Sequence, residues 1–162
     1  MVTEPSNLKA SAIQEYACQV GDAYHVYDEQ GCADLDLLLQ KLGGTTEYAS
    51  DSESLHVRNV GDFTVYLPQF TSNRRDRFTK AHELGHYFLH YLYPKLTGEC
   101  SFARGDRNRA ETEANIFASA LLMPAEPFQR AHKAYNGDAW HLALHFDVSP
   151  AAAAVRAEVL GL

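Results

Sequence analysis

The chain has 162 residues, enough for about one domain of ordinary size. Its 46% apolar and 22% charged residues exclude disorder as the main state. Fourteen basic against 21 acidic side chains leave a net charge of −7, which argues against nucleic acid as the primary partner. Three cysteines, Cys18, Cys32 and Cys100, lack a C-x-x-C spacing, so reduced thiols in a cytoplasmic protein are expected and a disulfide framework is not. Met1 to Ser6 carry no secretory pattern, and no apolar run approaches the ~18 residues of a membrane span.

In chain order, Leu8, Ala12, Ile13, Tyr16, Ala17 and Val20 recur at helical spacing, predicting a helix between Asn7 and about Tyr27. Asp34 to Leu42 predicts a second helix, stopped by Gly43-Gly44. Two short alternating runs follow, around Leu55-His56-Val57 and from Phe63 to Leu67, with Gly61-Asp62 between them, which reads as a hairpin or meander. Asn73 to Leu92 returns to helical spacing, and Leu96 to Asp106 reads as turn. Asn108 to Met123 is a further helix ending before Pro124. The patterns 137–146 and 150–160 close the chain as a helix pair, with Ser149-Pro150 as cap and first residue of the last. The expected organisation is a single α+β domain, 1–162: N-terminal helices over 1–50, a core over 51–124 and a helix pair over 137–162.

The chemistry is concentrated in His82-Glu83-Leu84-Gly85-His86, an H-E-x-x-H pattern. Histidines at i and i+4 share one helix face, so both imidazoles reach a single metal, and the glutamate between them stands beside it as a base. On a helical wheel, Phe78, Ala81, Leu84, Gly85, Phe88, Leu89 and Leu92 form one apolar arc. His82 and His86 sit at its edge, with Glu83 further round. His90 continues the series but lies about 12 Å along the axis from His82, too far to share an ion with it. Leu89 and Leu92 stand where a metzincin needs Gly and His, which removes that class.

A third ligand must come from elsewhere, and the Asn108 helix offers Glu111 and Glu113. These point ~200° apart. Glu111 falls inside the apolar arc of Ala110, Ala114, Phe117, Ala118, Leu121 and Leu122, where a carboxylate is costly unless paired or metal-bound. Glu113 falls outside it. Glu111 is the expected third ligand and Glu113 the alternative, with Asn115, one turn beyond Glu111, expected to orient a ligating histidine. Arg74, Arg75 and Arg77, and Arg104, Arg107 and Arg109, precede the two helices as a solvated or salt-bridged face or a patch steering an acidic peptide or DNA.

Two stretches, Arg77 to His90 and Glu111 to Pro124, together resemble the ImmA/IrrE family of zinc metallopeptidases, with supporting similarity at Val65-Tyr66-Leu67-Pro68 and from Phe146 to Leu162. The resemblance implies a thermolysin-like minimal zincin: a small antiparallel or mixed sheet of about three strands packed on the H-E-x-x-H helix. It also implies one catalytic Zn²⁺ on His82, His86 and Glu111, with Glu83 as general base. The implied partner is a helix-turn-helix repressor, often co-encoded, whose cleavage derepresses phage, mobile-element or stress genes. Phe63, Thr64, Val65 and Tyr66 are the expected substrate-binding strand. His132, His141, Tyr91 and Tyr93 are the candidates for oxyanion stabilisation. The rival readings are a non-proteolytic repressor-binding module with a structural metal site, and a toxin paired with an antitoxin.

Overall fold

The computed structural model describes residues 3–49, 52–105 and 107–162; Asp106, the end of the expected turn, lies outside them. Helix α1 (Ala10–Ala23) buries Ile13, Ala17 and Val20 along one stripe. Helix α2 (Leu35–Leu42) starts where the Asp34 carboxylate accepts the Leu37 N–H and ends on Gly43 at φ +84°. A Cβ at Gly43 would lie 1.9 Å from the Gly61 carbonyl oxygen, so glycine is required there both for the left-handed backbone and for the close approach.

Strands β1 (Gly44–Tyr48), β2 (Glu53–Asn59), β3 (Asp62–Leu67) and β4 (Cys100–Ala103) form one mixed sheet in the order β1-β3-β2-β4. β1 runs parallel to β3; β2 is antiparallel to both β3 and β4. The sheet thus has four strands where about three were expected. β1 falls inside the segment expected to hold only helices, and β4 inside the expected turn. Gly-Thr-Thr-Glu-Tyr carries no apolar alternation, because β1 is an edge strand exposed along most of its length. Only Phe102 of β4 is buried, so a four-residue strand shows no period.

Helix α3 (Asn73–His86) is capped by Ser72, whose hydroxyl accepts the Arg75 N–H, and it runs on into a π-helical segment, Tyr87–Leu92. Helix α4 (Arg109–Leu122) packs against α3 on one side and α1 on the other. Helix α5 (Ala125–Ala134) was not foreseen; Pro127 lies in its first turn, where a missing N–H costs nothing, and hid it behind Pro124. Helices α6 (Ala139–Phe146) and α7 (Pro150–Val159) are the expected closing pair. The sheet contributes Leu55, Val57, Phe63 and Val65 to the core, and the helices contribute Leu84, Leu89, Phe117 and Leu121, all buried. Each such side chain contributes about 1.5–3 kcal/mol relative to exposure. No helix among the described residues is long and apolar enough to cross a membrane.

Candidate metal centre

The site is built where α3 and α4 approach most closely. A Cβ at Gly85 would stand 3.0 Å from the Ala114 Cα and carbonyl oxygen and 3.2 Å from the Phe117 Cβ, so the glycine sets the spacing between the helices. One turn of α3 carries His82 and His86 on the same face, with ring centroids 4.8 Å apart. From α4, the Asn108 side-chain oxygen accepts the Glu111 N–H at 3.0 Å. That cap fixes Glu111 in the first turn, where the helix N-terminus favours negative charge.

Glu111 reaches across to both histidines: Oε2 lies 2.7 Å from His82 Nε2, and Oε1 lies 3.0 Å from His86 Nε2. The three donor atoms lie within 4.8 Å of one another, the one such group among the described residues. Burial would raise the Glu111 carboxyl, but the bonds from His82 and His86 outweigh it and hold the group at about 2. Burial lowers His86. For His82, burial is outweighed by the Glu111 hydrogen bond and the neighbouring carboxylates, and the ring is pushed up. His82 Nδ1 donates to Asn115 Oδ1 at 2.8 Å. An amide oxygen only accepts, so Nδ1 carries a proton, and in a neutral ring Nε2 would be the nitrogen left to bind an ion beside Glu111.

Glu83 is buried, 4% exposed, and its Oε1 has no hydrogen-bond partner. The wheel set it away from the apolar arc. Ser54 of β2 and Arg104, just past β4, close over that flank, which a wheel of α3 alone does not register. Desolvation pushes the Glu83 carboxyl up to about 7, against the lowering effects of His82 and Ser54. The carboxylate opens onto a cleft of about 150 Å³ that it shares with His82, Glu111, Ser54, Pro68, Phe78 and Arg104. Two imidazoles and one carboxylate with an open side form the donor set of a catalytic divalent-metal site. A buried carboxylate oxygen with no partner beside them is what such a site leaves for a reactant. The residues fit the ion.

Several expectations fail on geometry. Phe63, Thr64, Val65 and Tyr66 do not lie on a free edge. Phe63 to Val65 pair with β1 on one side and β2 on the other; Tyr66 pairs with Glu47, and its carbonyl accepts from Arg104 Nη2 at 2.6 Å. Alternating sequence shows that a strand exists, not its place in the sheet order. Glu113, expected on the open side of α4, is 2% exposed and 2.8 Å from His90, outside the three-donor group. Tyr91 donates to the Gly98 carbonyl at 2.7 Å, and His141 pairs with Asp138. Neither they nor Tyr93 and His132 line the cleft. The cation that does line it is Arg104, which stood in the sequence only as one of six arginines. Arg77 spends its guanidinium on the Ala33 and Asp147 carbonyls, joining α3 to the loops before α2 and α7.

Two histidines from one helix, a glutamate from the next and a second glutamate at the cleft define a metallopeptidase-like centre. The chain belongs to the Peptidase_M78 family (IrrE N-terminal-like domain), which it matches over residues 45–158. That span takes in the H-E-x-x-H helix, Glu111 and all four strands except Gly44. Membership supports a metallopeptidase-like function with a bound metal ion and accords with the ImmA/IrrE resemblance. No curated protein matches the chain.

Proposed function

We propose that this protein is a zinc-dependent endopeptidase that cleaves a helix-turn-helix repressor and so releases the genes the repressor silences. The observation that carries the reading is the convergence of His82, His86 and Glu111 beside the unpartnered buried oxygen of Glu83. His82 and His86 present Nε2, and Glu111 presents its carboxylate, to one ion. When bound, a divalent ion there supplies a Lewis acid that polarises a carbonyl and acidifies water. Glu83 takes the proton of the attacking water on Oε1 and delivers it to the departing amide nitrogen. Burial raises this carboxyl above the ordinary range, which strengthens it as a base for the first transfer.

Substrate is held as an added strand on β4, which ends the sheet and has one hydrogen-bonded neighbour, β2. β4 carries Phe102, which stacks on the His86 ring at 5.3 Å, and Ala103 and Arg104 continue from it into the cleft. Arg104 places a guanidinium on the opening, suited to a carbonyl oxygen gaining negative charge. The test is incubation of the zinc-loaded protein with helix-turn-helix repressors, beginning with any encoded next to it. The wild type yields two fragments, and Glu83→Gln retains zinc and yields none. Tight binding of the repressor without cleavage by the wild type would instead support the non-proteolytic module.

A further inference from the structure

Behind the ligand His86, away from the cleft, lies a chain of buried polar groups that the proposed reaction does not use. His86 Nδ1 is 2.8 Å from His90 Nδ1, and His90 Nε2 is 2.8 Å from Glu113 Oε1. His86, His90 and Glu113 are 1%, 3% and 2% exposed. The far end of the chain is tied to the N-terminal segment. The Ser6 N–H donates to Glu113 Oε1 at 2.8 Å, while the Ser6 hydroxyl and the Asn7 N–H donate to Oε2, both at 2.9 Å. Asn7 holds φ +61°, the left-handed turn that aims both backbone N–H groups at the one carboxylate. The π-helical segment from Tyr87 carries His90 on a widened turn, an irregularity common at functional sites.

The order of donors along this chain is fixed by its end. Glu113 receives three N–H or O–H donors from the strap and one from His90, so it is filled as a carboxylate that only accepts. His90 must then give its Nε2 proton to Glu113, which leaves Nδ1 as a lone pair. His86 must give its Nδ1 proton to that lone pair, so in the neutral ring that binds an ion Nε2 would be the nitrogen left free on the side of His82 and Glu111. Asn115 does the same for His82 in a single step. We propose that His90 and Glu113, anchored by Ser6 and Asn7, are positioning residues that set the tautomer and ring angle of His86. The N-terminal strap thereby becomes part of the metal centre.

This inference rests on the metal-site reading above and goes beyond it, because neither His90 nor Glu113 faces the cleft. Two variants separate hydrogen bonding from packing. His90→Phe keeps the ring volume and loses both bonds. His90→Gln loses the ring but keeps one acceptor and one donor at similar separation. Zinc affinity is measured by competition with a chromophoric chelator, and melting of the metal-free proteins checks that each variant folds. His90→Phe is expected to weaken zinc binding about 10–100-fold, the usual cost of losing such an outer partner, whereas His90→Gln retains most of the affinity. Long-range ¹H–¹⁵N spectra of the zinc-loaded wild type provide the second readout: His86 carries its proton on Nδ1, and His90 carries its proton on Nε2. Equal affinity of His90→Phe and wild type, equal losses in both variants, or a proton on His90 Nδ1 would each overturn the relay while leaving the metal site standing. A wild type that binds no zinc would overturn both.

Discussion

Replacing Glu83 by glutamine should stabilise the metal-free protein, and the gain should depend on pH in a way that isolates this one side chain. The carboxyl is raised from an ordinary 4.5 to about 7 because folding strips it of water and leaves one oxygen unpartnered. A raised acid holds its proton longer in the folded chain than in the unfolded one. Stability therefore falls as pH climbs from 4.5 to about 7 and is flat above that. The gap, at 1.36 kcal/mol per tenfold change in proton affinity, amounts to roughly 3 kcal/mol. Glutamine has no charge to desolvate, although its amide needs a partner and returns about 1 kcal/mol of the gain. The net expectation is about 2 kcal/mol in favour of the variant at pH 8, or a melting temperature some 4–8 °C higher, and about 1 kcal/mol in favour of the wild type at pH 4. Urea unfolding of chelator-treated wild type and Glu83→Gln from pH 4 to 8 reads this directly, since all other titrating groups are common to both. A difference that stays constant with pH, or that favours the wild type as pH rises, would refute the burial argument.

Zinc should raise the melting temperature of the wild type, by about 4 kcal/mol of stability at a thousandfold excess over its dissociation constant, and leave Glu111→Ala unmoved; differential scanning fluorimetry with and without metal checks both. Gly85→Ala should force α3 and α4 apart against Ala114 and Phe117, costing about 1–3 kcal/mol in chemical denaturation and weakening zinc binding because the ligands are divided between those helices. Cleavage should lose activity as pH falls, about tenfold in kcat/KM per unit below the point where Glu83 takes up its proton. That point lies at about 7 or lower, because a bound dication favours the carboxylate.

Sequence reading went furthest where the physics is local. The i, i+4 histidines, the helix starting near Asn108 and the choice of Glu111 over Glu113 as ligand are properties of one helix at a time, and His82, His86 and Glu111 meet in space. It failed where the answer lies in what another segment covers. Glu113 is hydrophilic by any wheel, yet Ser6 and Asn7 fold over it and make it one of the most buried acids in the chain. His90 was correctly separated from His82 by distance, yet its partner is His86, one turn away. β3 was legible as a strand but not as an inner one, because sheet order depends on β1 and β4, whose exposed residues carry no pattern. Arg104 has no motif at all; only the end of β4 turns it into the cleft.

The central claim is that His82, His86 and Glu111 hold a single divalent ion, and native mass spectrometry tests it most directly. The wild type should carry the mass of one zinc ion per chain after exchange into a zinc-containing volatile buffer, and Glu111→Ala should carry none under the same conditions. A wild-type spectrum free of metal, or an ion retained equally by Glu111→Ala, would contradict the account.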